Sequence, residues 1–323
     1  MLAASAVRTD PDDPLGGLEV AERSAPTPPD GWVIVHLRAA SLNHHDLWSL
    51  QGVGLPDDRL PMVLGCDGAG VTDDGTEVVV HAVIGDPDFR GDETLDPKRS
   101  LLSELHDGTF ADQVAVPRRN LVPKPPELSF EEAACLPTAW LTAYRMLFTQ
   151  AEARPGQTVL VQGAGGGVST ALLAIGKAAG LRMWVTSRDG VKRDRALALG
   201  ADQAFETGAR LPERVDAVME TVGKPTWEHS LRSLTQGGTL VVSGATGGHE
   251  AVTDLRRVFF LQQRIVGSTM GTRDELVRLI QFLAETGLRP VVDTVLPLED
   301  AVTGFQRLAD GEVFGKIVLT RPA

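Results

Sequence analysis

Residues 158–180 read TVLVQGAGGGVSTALLAIGKAAG. The apolar run Thr158–Val161 leads into Gly163, Gly165, Gly166 and Gly167, and these lead into a helical pattern from about Ser169 to Ala179. The run lacks apolar–polar alternation, as expected of a strand covered on both faces. Glycine suits the turn because the chain bends sharply there and the backbone must approach a pyrophosphate closely. The anion then rests on the start of the helix, at Gly167 and Val168, where free N–H groups and the helix dipole favour negative charge. A glycine-rich turn alone is a weak signal, and the plain alternative is a loop that only turns the chain. One that closes a buried strand, opens a helix and has further βα units behind it is a strong signal.

Those units follow. Met183–Val185, Val215–Met219, Thr239–Val242 and Ile265–Val266 are short apolar runs, with a helical stretch at about Val191–Leu199. They predict an α/β region, a doubly wound parallel sheet. The flanks differ. Up to about Pro126 the chain is rich in Gly, Pro and Asp, with short apolar runs at Trp32–Leu37, Glu77–Val83 and Phe110–Val116 that predict an irregular β-rich domain. Beyond Gly271 the pattern predicts a helix over Glu275–Glu285, a strand over Val291–Leu296, a short helix over Ala301–Ala309 and a last strand over Lys316–Thr320. A chain of 323 residues calls for two cores.

A formal charge of −12 argues against nucleic acid or an anionic membrane as partner, the basic residues near 182–195 being only a small patch. Two cysteines far apart form neither a disulfide framework nor a CxxC pair, which fits a reducing cytoplasm. No apolar run approaches about 18 residues, and the first residues carry no signal-peptide pattern. The expectation is a soluble cytoplasmic protein acting on a small molecule.

After the second apolar strand the chain continues as Thr186, Ser187 and Arg188, with Lys192 and Arg193 one turn on. Dinucleotide sites for NAD place an acidic residue there to hold the ribose hydroxyl, whereas a 2′-phosphate needs hydroxyls and cations. NADPH is the expected cofactor, held by Ser187, Arg188 and Lys192. The alternative is that Asp189 takes the ribose and the cations are a solvated surface.

The stretches AASLNHHDLW, LPMVLGCDGAG, GTFADQVAVP, the LTAY at Leu141–Tyr144, the glycine turn, LALGAD, VMETVG, FFLQQRIVGSTMG and the terminal FGKIVL carry a further signal. With them the chain resembles the medium-chain dehydrogenase/reductase superfamily over nearly its whole length. The resemblance implies a β-rich GroES-like catalytic domain from residues 1–134 and 272–323, a Rossmann cofactor domain from 135–271, and an active site in the cleft between them. The zinc enzymes of this superfamily carry ligands where this chain has Asn43, Cys66 and Thr138, and a four-cysteine lobe where residues 86–107 contain no cysteine. Asn and Thr do not replace thiolates, so no metal is expected at the inherited site. A rearranged site using Cys66, Asp67 and His44 or His45 is the alternative.

Without a Lewis acid, the resemblance points to the zinc-free quinone and enone reductases, whose conjugated acceptors stabilise their own charge after hydride attack. It implies Asn43 as the group donating to an enolate or quinone oxygen. His44, His45, Asp46 and His81 are proton-donor candidates by residue type, with the alternative that they only line the wall. A tyrosine donor is excluded, since the only tyrosine is Tyr144. By position the resemblance implies cofactor contacts from Thr142, Thr221, Ser243, Gly244, Met270, Gly271 and Lys316. It also implies a homodimer, with residues near Val258–Gly267 as its edge, or a tetramer as in some relatives. Cys135 reads as a buried apolar residue. The expected function is hydride transfer from NADPH to a quinone or an activated C=C bond. The competing readings are an alcohol or aldehyde dehydrogenase with a refitted metal site, and a non-catalytic NADPH-binding protein.

Overall fold

All five residues of the strand Thr158–Gln162 are buried, and Gly167–Ala178 forms the helix after it in the computed structural model, which describes residues 1–321. Six parallel strands lie in the order Gln203–Phe205, Arg182–Thr186, Thr158–Gln162, Val215–Glu220, Leu234–Val242 and Arg264–Gly267. From Thr158–Gln162 the chain first builds one side of the sheet and then crosses to build the other. The glycine turn therefore sits where the strand order reverses, the place at which open α/β sheets bind ligands. Leu160, Trp184, Val218, Leu231 and Leu240 fill the core on one face, while the helix Gly167–Ala178 buries Leu172, Leu173 and Ile175. The helix Gly190–Leu199 starts one residue before the predicted position because Asp189 caps it, accepting from the Lys192 amide.

This sheet belongs to one of two units, Thr142–Thr269; the other joins Met1–Leu141 to Met270–Ala323. Residues 322 and 323, the end of the expected catalytic span, lie outside the described residues. The second unit holds a seven-stranded sheet in which Lys316–Thr320 pairs antiparallel with Trp32–Ser41, Val318 lying opposite Ser41. On its other side the same strand runs parallel to Val292–Pro297. The last strand thus completes a sheet begun by the first third of the sequence. Leu42, Leu47, Leu50, Phe110, Phe305 and Leu319 pack beneath it, with the Phe110 and Phe305 rings edge to face at 5.9 Å. Burying a side chain of this size stabilises by about 1.5–3 kcal/mol.

Two elements of this unit escape the sequence pattern. Asp67–Thr72, with the sequence DGAGVT, forms a strand beside Trp32–Ser41, although glycine is a poor strand former. Close approach requires it: a Cβ on Gly70 would run into the His36 carbonyl. His44–Leu50 is a short helix whose opening is fixed by Asp46, whose carboxylate accepts from the Asn43 amide at 2.7 Å. The strand predicted from Phe110 begins at Gln113, because Phe110 turns into the core. The helix predicted from Glu275 begins at Arg273, behind a capping box of Thr272 and Glu275. Among the described residues no helix is long and apolar enough to cross a membrane.

Candidate active site

In the parallel-sheet unit, Gly163 and Gly165 adopt φ of 82° and 104°, a left-handed backbone that side chains disfavour. Gly166 caps the helix that opens at Gly167 and Val168, and its carbonyl accepts from the Ser169 and Thr170 hydroxyls. The turn is stiffened from below by a buried polar network. Thr186 donates to the Gln162 amide oxygen at 2.6 Å, and the Gln162 nitrogen reaches the Ser230 hydroxyl and His229, each at 2.9 Å. Ser230 in turn donates to Glu220 at 2.6 Å. Glu220 is fully buried, and its carboxylate accepts as well from the Val222 and Gly223 amides and the Thr226 hydroxyl. The sequence reading passes over Gln162 and Glu220. The signal was available: each is the polar last residue of an apolar strand.

Around this edge, Ser187 is buried, and its hydroxyl accepts from the Asp189 amide at 3.2 Å. Its carbonyl accepts from Arg193 at 2.7 Å. Arg188 is exposed and has no hydrogen-bond or ion-pair partner among the described residues, whereas Asp189 is engaged as the helix cap. Lys192 is half-buried on the first turn of the same helix. The Thr221 carbonyl accepts from the Thr246 amide, and a Cβ on Gly244 would lie 3.1 Å from the same carbonyl oxygen. The Ser243 hydroxyl is buried without a partner. Thr142 is buried at the start of this unit.

The β-rich unit holds a second cluster. Lys316 is 3 % exposed, Asp67 is fully buried, and their charges meet at 3.1 Å. The Lys316 ammonium also donates to the Asn43 side-chain oxygen at 2.6 Å and to the Leu42 carbonyl at 2.7 Å, so its three donors are used. The Asn43 amide nitrogen donates to Asp67 at 2.9 Å and to the Ser41 carbonyl at 3.3 Å, and the Ser41 hydroxyl also donates to Asp67. The hydrogen-bonding groups of Asn43 are thus occupied within the protein, and Lys316 points to this cluster. Met270 packs in the core of this unit with Val35, Leu37 and Cys66 in a left-handed backbone, φ 51°. A Cβ on Gly271 would press on Leu141 at 2.6 Å. Cys135 is buried, which pushes its thiol up to about 12 and leaves it inert.

On the helix His44–Leu50 the two histidines differ. His44 reaches solvent, yet desolvation and then the Lys316 charge lower its pKa. His45 is half-buried, with Nδ1 at 3.4 Å from the Cys66 sulfur and Nε2 at 3.2 Å from Glu104. Burial opposes its charge, but Cys66, Asp46 and Glu104 outweigh it and hold its pKa well above 6.5. Burial also raises the Cys66 thiol, whose sulfur donates to the Leu102 carbonyl. One oxygen of the fully buried Asp46 has no hydrogen-bond partner and lies 4.0 Å from His45 Nδ1. Among the described residues, His45, Asp46 and Cys66 are the group of ligand type whose donor atoms all lie within 4.8 Å of one another. His81 is buried apart from them, against Glu93 at 3.1 Å.

Residues 29–126 match the model of the alcohol dehydrogenase GroES-like domain, and residues 194–319 match that of a zinc-binding dehydrogenase. An acryloyl-coenzyme A reductase of Metallosphaera sedula is 33 % identical across 94 % of this chain and 96 % of its own. An alcohol dehydrogenase of Geobacillus stearothermophilus is 29 % identical over the same shares. A solved NAD-dependent alcohol dehydrogenase superposes with a TM-score of 0.91 at 37 % identity, over 100 % of both chains.

Proposed function

The chain belongs to the medium-chain dehydrogenase/reductase superfamily, whose members are NAD(P)-dependent oxidoreductases, and from this premise we propose that it reduces a quinone or an activated C=C bond with NADPH and without zinc. The observation that carries the proposal is the Lys316–Asn43–Asp67 cluster. Of the three inherited ligand positions, Asn43 is saturated by an ammonium, a carboxylate and a carbonyl, and Thr138 offers a neutral hydroxyl. This donor set does not fit zinc, so no step is routed through the metal.

The turn Gly163–Gly167 fits a dinucleotide pyrophosphate, and Arg188 with Ser187 and Lys192 suits a 2′-phosphate. Thr142, Thr221, Ser243, Gly244, Met270 and Gly271 are proposed as further cofactor contacts. The nicotinamide, when bound, supplies hydride. The protein's own residues then need only orient the acceptor and deliver a proton. Asn43 and Lys316 spend their donors on Asp67, Ser41 and Leu42 and so brace the end of the strand that leads into the helix carrying His45, whose start Asp46 holds. Of the histidines in that helix, His45 has partners on both ring nitrogens and retains access to solvent, and it is proposed to donate its proton to the enolate carbon left after hydride addition to an enone, ending as neutral imidazole. Quinone reduction draws its protons from water and does not need it. The relative named for acryloyl-coenzyme A reduction supports a C=C acceptor.

Self-association is proposed at the sheet edge Arg264–Gly267, beside which Phe259 and Phe260 are 65 % and 78 % exposed. A cytoplasmic location is proposed from two buried free thiols.

The test is a mixture of chelator-treated protein with NADPH, or NADH in parallel, and an ortho-quinone, an enone or acryloyl-coenzyme A as acceptor. NADPH-selective oxidation that survives chelation is expected. Activity that returns only with added Zn²⁺ would overturn the proposal. That outcome would favour the second reading, an alcohol or aldehyde dehydrogenase with its metal on His45, Asp46 and Cys66, for which the Asp46 oxygen that makes no hydrogen bond and the alcohol dehydrogenase relatives speak.

A further inference from the structure

We infer that the parallel-sheet unit carries a second anion site, separate from the dinucleotide turn, built by Arg210, Arg214, Arg232 and Arg257 for a ligand bearing two or more phosphates. These arginines line a cavity of about 770 Å³ between the loop 208–214 and the helix Trp227–Ser233. The cavity adjoins a smaller one of about 310 Å³ that shares Glu228, Arg232 and Arg257 and is bounded by Leu231 and Val252. The combined space suits a small-molecule ligand.

The charge there runs against the rest of the chain, whose net is −12. Three carboxylates share the lining of the two cavities, and all are engaged: Glu213 with Arg182 at 3.0 Å, Glu228 with Arg232 at 3.2 Å, and Asp254 as the cap of the helix Leu255–Phe260 and with Arg256 at 3.9 Å. Among the described residues no carboxylate lies within ion-pair distance of Arg210, Arg214 or Arg257. Among the described residues the guanidinium groups of Arg214 and Arg257 have only backbone carbonyls as hydrogen-bond partners. Arg214 donates to the carbonyls of Arg232 at 2.5 Å and Leu234 at 3.1 Å, and Arg257 to those of Leu231 at 3.2 Å and Arg232 at 3.3 Å. These bonds cap the C-terminal end of the helix and hold the guanidinium groups in place, while leaving most of their five N–H groups free for a ligand. Arg257 feels its neighbours: burial and then the charges of Arg214 and Arg232 lower its pKa, with Asp254 opposing them only in part. An anion that bridges the three relieves that repulsion, and the planar fork of arginine matches phosphate oxygens.

The place in the fold separates this site from the cofactor turn. Arg214 precedes the first residue of the strand Val215–Glu220, and Arg232 lies just before the strand Leu234–Val242. The glycine turn follows the last residue of Thr158–Gln162, and the three strands are parallel. The arginines therefore flank the opposite edge of the sheet, and no residue of the turn lines the cavity.

The experiment is calorimetric titration of the full chain, saturated with NADP⁺ or NAD⁺, whichever binds, to fill the dinucleotide turn. The probes are ADP and inorganic tripolyphosphate at matched ionic strength. One additional site is expected for at least one probe, with the tighter probe telling a nucleotide from an inorganic polyphosphate. Arg257→Gln is expected to weaken it about tenfold or more, and Arg210→Gln, which breaks no contact and so spares the fold, by a smaller factor. Affinity for the dinucleotide should stay unchanged in both. No added heat with either probe, or binding indifferent to both substitutions, overturns the inference whether or not the chain proves to be a reductase.

Discussion

Replacing Lys316 with methionine keeps the length of the side chain and removes its charge from a site where the fully buried Asp67 depends on it. Three hydrogen bonds disappear with the ammonium: those to Leu42, Asn43 and Asp67. Asp67 keeps the Ser41 hydroxyl and the Asn43 amide, both neutral donors, so its charge is left uncompensated in the interior. Breaking a buried pair from one side costs about 3–5 kcal/mol, far more than the net worth of the pair itself. A unit of this size loses about 2–4 °C of melting temperature per kcal/mol, so a fall of about 6–20 °C is expected. Urea unfolding of Lys316→Met should show a lower midpoint at unchanged slope. The double variant Lys316→Met with Asp67→Asn removes both charges and should recover at least about 2 kcal/mol relative to the sum of the two single losses. A single variant that loses under about 1 kcal/mol, or two losses that simply add, would refute the reasoning, since the ion pair would then not be what holds this cluster.

Glu93 gives a pH-dependent counterpart. Burial opposes its charge, but the His81 hydrogen bond and the Arg273 amide outweigh it and bring its pKa below 4.5, so its contribution is present above that value and lost as the pH falls through the lowered one. Glu93→Gln is expected to cost about 1–3 kcal/mol at neutral pH, with the gap to wild type closing in acid; a gap that widens in acid would reverse the sign of the argument. Arg188→Ala should raise the KM for NADPH about tenfold and leave that for NADH nearly unchanged, as read from paired initial-rate assays. Equal losses for both cofactors would mean that Arg188 does not meet the 2′-phosphate. His45→Gln should lower kcat for an enone about 10²-fold while quinone turnover falls by less than about threefold; a parallel fall in both would assign His45 a structural part.

The strand, glycine turn and helix over residues 158–178 were legible because the whole signal is local, and local chemistry fixes all three. The helix His44–Leu50 was not, although its residues were singled out, because seven residues show too few turns for periodicity to register. The strand Asp67–Thr72 was hidden for the opposite reason: its glycines argue against a strand locally and are explained only by the backbone of His36 across the sheet. The arginine groove is spread over 48 positions, and so no window of sequence contains it, whereas the basic stretch near 182–195 is easily seen.

Lys316 joins these lessons. The resemblance implies a place near the cofactor or cleft, and its hydrogen-bond partners lie 249 to 274 positions away in the chain. They are dictated by register: with Val318 opposite Ser41, position 316 falls beside Leu42 and Asn43 at the end of that strand. Asp67 lies opposite the same Ser41 from the other neighbour. Any side chain at 316 that is long enough therefore meets 43 and 67 together, and its charge decides what those two can hold. An ammonium there supplies the positive charge that a carboxylate at 67 needs, and it occupies the one acceptor that Asn43 offers. Asn43, Asp67 and Lys316 are in this sense one feature, spread over both ends of the chain and joined only when the last strand enters the sheet.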